Sequence, residues 1–300
     1  MKRIIPLILG ILLIFCSCTP KTQSGKKLKI VTTIYPLYDF VRAIGKDRAD
    51  IELLVKPGTE IHSFDPKPSD MVSIKNADLF LYIGGESENW VKRVLNDTDA
   101  VTFSLIETVD EKKAEENHDH HHDEHFDEHI WTNPENAIVM IEQILQKMSV
   151  LDKNNAYFYE INAKNYSNEI KKVSDEIRKT VEKAPQKHIV VADRFPFKYL
   201  TEEYGLNYTA AFGGCAVSTD ISINVMNNIL NVIKEKNIKY VYYVEMSNKN
   251  IANAVKQETN VELIELHSAH NVTLDDFNAG KTYLDIIKSN QKALERGLTL

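Results

Sequence analysis

Between Asn154 and Lys183 the chain runs for thirty residues without a proline or a glycine, and Pro185 then stops it. Tyr157, Ile161, Tyr166, Ile170, Val173, Ile177 and Val181 fall mostly three or four apart, which places them on one helical face. A helix of that length measures about 45 Å at 1.5 Å per residue. It predicts a rod that runs along the whole molecule and connects a half on either side. The 300 residues leave room for two such halves, at roughly 100–200 residues per domain.

Both flanks alternate short β-branched runs with helical patterns. Before the rod, strands are expected at Leu28 to Ile34, Ile51 to Val55, Leu79 to Ile83 and Ala100 to Phe103. Helices are expected at Pro36 to Ile44, from Ser69, at Trp90 to Leu95, and from Pro134 to about Leu151, where Pro134 and Glu135 suit a first turn. After the rod, strands are expected at His188 to Ala192, Asn207 to Ala211, Lys239 to Val244 and Val261 to Leu266. The helices there are Phe197 to Tyr204, Ser222 to Lys236, Asn248 to Glu258 and a last one from Leu274 to Leu298. Such alternation indicates parallel sheets covered by helices. The expected fold is therefore α/β, with two lobes, each a mostly parallel sheet flanked by helices. The lobes span residues 28–151 and 186–300, joined by one long rigid linking helix over 152–185. Sheets of this kind bind ligands outside the carboxyl ends of their strands.

Lys2 and Arg3 precede an apolar run, Ile4 to Phe15. The run falls short of the roughly 20 residues that a span needs, and reads as a secretory signal peptide over residues 1–17. Phe15-Cys16-Ser17-Cys18 has the form of a bacterial lipobox. The small Ser17 favours lipidation at Cys18 over Cys16, with polar residues 18–27 as a tether. An ordinary signal peptide or an uncleaved anchor is the other reading. Three cysteines exclude a disulfide framework, and Cys215 remains as a buried small hydrophobe or a metal ligand. A net charge of −7 argues against nucleic-acid binding.

Six of the ten histidines lie between His118 and His129. Residues 107–128 are acidic and almost free of apolar side chains, which predicts a mobile loop. Its His118, His120, His121, His122 and His125 offer weak, interchangeable metal ligands, or else belong to a merely solvated acidic loop. Three further histidines stand at expected loop ends: His62, His129 and His267. Neutral imidazole suits zinc and similar ions, and Asp65 and Asp127 are placed to orient the rings. His125 to His129 also matches the H-x-x-E-H zinc-protease pattern, but that chemistry needs a helix, and Pro134 with a polar loop on the other side argues against one.

Gly58-Thr-Glu-Ile-His-Ser-Phe-Asp-Pro-Lys-Pro-Ser and Asp127-Glu-His-Ile-Trp-Thr-Asn-Pro, in this order around a His-rich acidic loop, resemble the motifs of bacterial metal-binding lipoproteins that serve ABC importers for zinc or manganese. The resemblance covers Leu28 to Leu300. It implies two lobes, a linking helix, metal held between lobes, and His62 and His129 as ligands. At the family's third position, ten residues before Tyr204-Gly205, this chain has Arg194, which cannot bind a cation; the adjacent Asp193 is the substitute. At the fourth position the segment Leu266-His-Ser-Ala-His-Asn offers His267. The expected set is His62, His129 and His267, completed by Asp193, Glu60 or water, with His270 orienting a ligand or itself a further ligand. Three imidazoles favour Zn2+ over Mn2+. The resemblance further implies a non-enzymatic, monomeric binding protein at the cell envelope, anchored to the membrane by lipid, with an ABC permease as partner. A manganese or iron importer lipoprotein of adhesin type, and a surface zinc buffer or metallochaperone, are the alternatives.

Overall fold

A computed structural model describes residues 26–59, 64–109, 127–214 and 221–299. The signal peptide, Cys16, Cys18, Glu60, His62, the five loop histidines from His118 to His125, and Cys215 all lie outside the described residues.

The first sheet contains β1 (Leu28–Thr32), β2 (Ala49–Leu53), β3 (Leu79–Tyr82) and β4 (Val101–Ser104), all parallel, in the order β2-β1-β3-β4. Its helices are α1 (Tyr35–Gly45), α2 (Pro68–Lys75), the single turn α3 (Val91–Val94) and α4 (Pro134–Leu151). The long helix α5 (Ala156–Lys183) follows; its 28 residues give a length of about 42 Å. The second sheet contains β5 (His188–Val191), β6 (Asn207–Ala210), β7 (Tyr240–Tyr243) and β8 (Glu262–Glu265), again parallel, in the order β6-β5-β7-β8. It carries α6 (Lys198–Tyr204), α7 (Ile223–Glu235), α8 (Asn250–Thr259), α9 (Leu274–Asn278) and α10 (Tyr283–Thr299). The two sheets thus repeat one topology. In each, the strand order reverses beside the first strand, and the loops at the carboxyl ends there are the ones that open a crevice. Among the described residues no helix is long and apolar enough to cross a membrane.

Two details depart from the sequence expectation. The buried stripe of α5 begins at Tyr159 and Ala163 and continues through Ile170, Val173, Ile177 and Val181, while Tyr157 and Ile161 face solvent. The last helix is broken in two. Gly280 adopts φ 76°, and the Thr282 hydroxyl accepts from Asp285 N–H at 3.0 Å while Asp285 accepts from Thr282 N–H at 3.0 Å. That reciprocal cap starts a new helix.

The main apolar core is continuous across both halves. It joins Ile30, Phe40 and Leu81 of the first lobe to Ile170 and Ile177 of α5 and to Val191, Tyr242 and Leu294 of the second. One buried carboxylate reinforces the junction. Asp39 on α1 accepts from Arg42, from the Tyr166 hydroxyl of α5 at 2.5 Å, and from Tyr283 N–H at the start of α10 at 2.8 Å. All its donors are native neighbours, so the charge is buried with partners.

Candidate metal centre

The segment that carries His129 is fixed from both sides. Asn133 caps α4 by accepting Glu135 N–H at 2.9 Å, and Pro134 occupies the first turn where no amide is required. The Thr132 hydroxyl donates to the His129 carbonyl at 2.8 Å. From the other half, Tyr199 donates to the Asp127 carbonyl at 3.0 Å and Tyr283 to the Trp131 carbonyl at 2.7 Å. Within this frame Asp127 Oδ1 lies 2.8 Å from both the backbone N–H and the Nδ1 of His129. Burial raises the Asp127 carboxyl, but the contact with His129 and its ring and backbone hydrogen bonds outweigh that and hold it below the usual range. A carboxylate on Nδ1 leaves the lone pair of the neutral ring on Nε2, the arrangement seen for oriented metal-binding imidazoles.

His270 comes from the loop after β8. Its ring centroid is 5.1 Å from that of His129, edge to face, and 4.9 Å from Trp131. One ligand atom from each of Glu128, His129 and His270 lies within 4.8 Å of the other two. Donors on a tetrahedral zinc, at about 2.0–2.1 Å from the ion, stand about 3.3 Å apart. Two imidazoles and a carboxylate, lined by the buried Trp131, form a mixed N/O donor set that fits zinc.

Glu128 is itself held from the first lobe, and a second buried carboxylate, Glu88, feels its charge. Glu128 Oε2 accepts Ser87 N–H at 3.1 Å. Glu88 is 5% exposed and accepts Gly84 N–H at 2.8 Å. Burial pushes the Glu88 carboxyl up to about 7, against the hydrogen bond from Gly84 N–H, and the Glu128 charge adds to the rise. Gly85 makes the close approach of Glu128 feasible: a Cβ there would stand 2.0 Å from Glu128 Oε2.

A seam of backbone contacts joins the two site loops. Gly58 N–H donates to the Val272 carbonyl at 2.8 Å, and Asn271 Nδ2 donates to the carbonyls of Lys56 at 3.0 Å and Thr59 at 2.8 Å.

A family model for the zinc-uptake complex component A, periplasmic (ZnuA), matches residues 30–297. The chain belongs to this family. The zinc-binding lipoprotein AdcA of Streptococcus pneumoniae (strain R6) is 30% identical over 99% of this chain and 61% of that protein. The chain therefore spans about three-fifths of the length of that relative. The high-affinity zinc uptake system protein ZnuA of Bacillus subtilis is 31% identical, covering 92% of this chain and 89% of that one. The Zn(II)-bound ZnuA-like domain of Streptococcus pneumoniae AdcA superposes with a TM-score of 0.77 at 28% identity, covering 92% of this chain and all of that one.

Within this zinc-uptake fold, the residues singled out from sequence divide into three sets. His129 and His270 come together. His267, expected beside His129, is outside their group. Its Nδ1 accepts Ala269 N–H at 3.0 Å, and at 3.6 Å from Glu245 it is 6% exposed. Asp193, at the carboxyl end of β5, is likewise outside the group. Its Oδ1 accepts Arg194 N–H at 2.8 Å, while the buried Oδ2 has no hydrogen-bond partner among the described residues. His62, Glu60 and the loop histidines fall outside the described residues. Glu128 belongs to the group although it was no candidate ligand from sequence, standing only within the protease-like pattern and the second family motif. That pattern's helix is absent over its described portion, because His129 has ψ 45° and leads into a 3-10 turn. His270, expected mainly to orient a ligand, enters the group through the left-handed turn at Ala269, which no periodicity announces.

Proposed function

We propose that this chain is the extracytoplasmic zinc-binding component of an ABC importer, capturing Zn2+ in the crevice between the lobes and delivering it to a membrane permease. The observation that carries this reading is the pairing of His129 with His270, imidazoles from two different loops, with Asp127 fixing the His129 tautomer. His62 is the third nitrogen ligand in this proposal. It follows Thr59 by three residues, and Thr59 is tied to Asn271, the neighbour of His270. Glu128, or the Oδ2 of Asp193 that has no hydrogen-bond partner among the described residues, supplies an oxygen donor. The imidazole content supports zinc over manganese. The zinc named in the relatives above points the same way.

The same reading has the protein lipid-anchored at Cys18, monomeric, and held at the outer face of the membrane near its permease. The loop over residues 107–128 is an accessory that collects zinc weakly. Deleting residues 115–124 is expected to remove weak sites and spare the tight one.

Zinc and manganese titration of the soluble chain tests the site. His270→Ala, His129→Ala and His62→Ala are each expected to weaken tight zinc binding, and manganese is expected to bind less tightly than zinc. Unchanged affinity in His270→Ala together with a sharp loss in His267→Ala would overturn the ligand set. Preferential manganese binding would overturn the assignment of zinc.

A further inference from the structure

The turn that presents His270 is held by a buried acid with no role in the ligand set. Glu245, two residues past the end of β7, is 7% exposed. Its Oε2 accepts Ser268 N–H at 2.7 Å, and its Oε1 accepts the Ser268 hydroxyl. The same hydroxyl oxygen accepts His270 N–H at 3.2 Å. Between them Ala269 adopts φ 60°, a left-handed conformation that an L-residue with a Cβ keeps only when its surroundings impose it.

The surroundings do so completely. His267 N–H donates to Asn290 Oδ1 at 2.9 Å, Ser268 N–H to Glu245, Ala269 N–H to the His267 ring at 3.0 Å, and His270 N–H to Ser268 Oγ. Four consecutive amides thus have side-chain acceptors. The carbonyls are engaged as well. His267 O accepts Asn290 Nδ2 at 2.7 Å, and Ser268 O accepts the Trp131 indole at 2.9 Å, from the segment that carries His129. Without Glu245 the Ser268 amide and hydroxyl lose their acceptor, and a buried donor left without a partner favours another backbone arrangement. Ala269 would relax toward negative φ, and His270 would leave the position beside His129.

We infer that Glu245 is a positioning residue for metal binding. Acting through Ser268, it holds the strained turn in which His270 faces His129, while His267 is the internal brace of that turn. The inference rests on the proposed role of His270 as a ligand.

The test uses the full chain after signal removal, with Glu245→Ala, Glu245→Gln, Ser268→Ala, His270→Ala and the double variant Glu245→Ala/His270→Ala. Zinc affinity is read by chelator competition, site geometry by the visible spectrum of the cobalt-substituted protein, and folding by the melting temperature of the metal-free form. Glu245→Ala is expected to weaken zinc about 10–100-fold, the range for lost supporting partners of a ligand, and to alter the cobalt spectrum. Glu245→Gln keeps an acceptor oxygen for Ser268 and is expected to recover most of the affinity. In the double variant the Glu245 change is expected to add little to the loss from His270→Ala, because the two act in one chain of contacts. Wild-type affinity and spectrum in folded Glu245→Ala would overturn the inference, as would fully additive losses. Should Glu245→Ala fail to fold, Ser268→Ala decides by the same readouts, since it removes only the hydroxyl link. If His270→Ala itself binds zinc normally, the ligand assignment falls and the inference with it. A weakened His270→Ala beside an unaffected Glu245→Ala overturns the inference alone.

Discussion

The buried Glu88 offers a test that needs no metal. Its carboxyl is pushed up to about 7, mainly by burial, from an ordinary 4.5. Between those pH values the folded chain keeps a proton that the unfolded chain has lost. Stability must therefore fall as pH rises through that window and level off above it. At about 1.4 kcal/mol per pH unit, the interval gives a loss of about 3 kcal/mol. Glu88→Gln removes the titration while keeping a polar group of the same shape near Gly84 and Thr33. Other groups also titrate over this range, so the informative quantity is the difference between the two proteins. Urea denaturation of the metal-free forms is expected to show the variant gaining about 3 kcal/mol over wild type between about pH 4.5 and about pH 8. Parallel pH profiles would refute the reasoning and would mean that the Glu88 carboxyl is solvated or paired in the folded protein.

Two further substitutions probe the site and the packing around it. Asp127→Asn removes the charge that fixes the His129 ring and is expected to weaken zinc binding about 10–100-fold by competition titration, with affinity equal to wild type counting against that role. Gly297→Ala places a methyl carbon 1.9 Å from the hydroxyl of the buried Tyr242; an overpacking cost of about 1–3 kcal/mol is expected by urea denaturation, and an unchanged midpoint would show that α10 can shift away from β7.

The parts of the fold that were legible in sequence are those written in local chemistry. Asn133-Pro134-Glu135 marks the start of α4 because cap, ring and amide each meet a local need, and that helix spans the expected Pro134–Leu151. The paired sheets followed from alternation alone. The long rod was visible, yet its lower buried face was misread, because Tyr157 and Ile161 are larger hydrophobes than Ala163 and drew the stripe one step round the helix. The break near Gly280 was missed although Thr282 and Asp285 spell out a reciprocal cap. The family resemblance singled out His129, which groups with Glu128 and His270. It favoured His267 over His270 as a ligand, and direction there depends on one left-handed Ala269 and on acceptors from the loop after β7 and from α10, far apart in sequence. Asp193, a candidate ligand from the strand end, keeps a partnerless buried oxygen that fits a donor role, but spacing could not bring it within the His129–His270 group.

The continuous core has a consequence for how the protein comes apart. Each half carries its own four-stranded sheet of the same order, which would suit two independent modules. Yet Ile30 and Leu81 share one apolar cluster with Val191 and Leu294 through the face of α5, and Asp39 closes it with a bond into α10. Severing either half would strip the helix of one of its walls. Unfolding should then be a single cooperative event, with amides of β1 and β5 exchanging hydrogen at a common, global free energy. The repeat survives in the topology, while the capacity of each half to stand by itself has been given over to the shared wall.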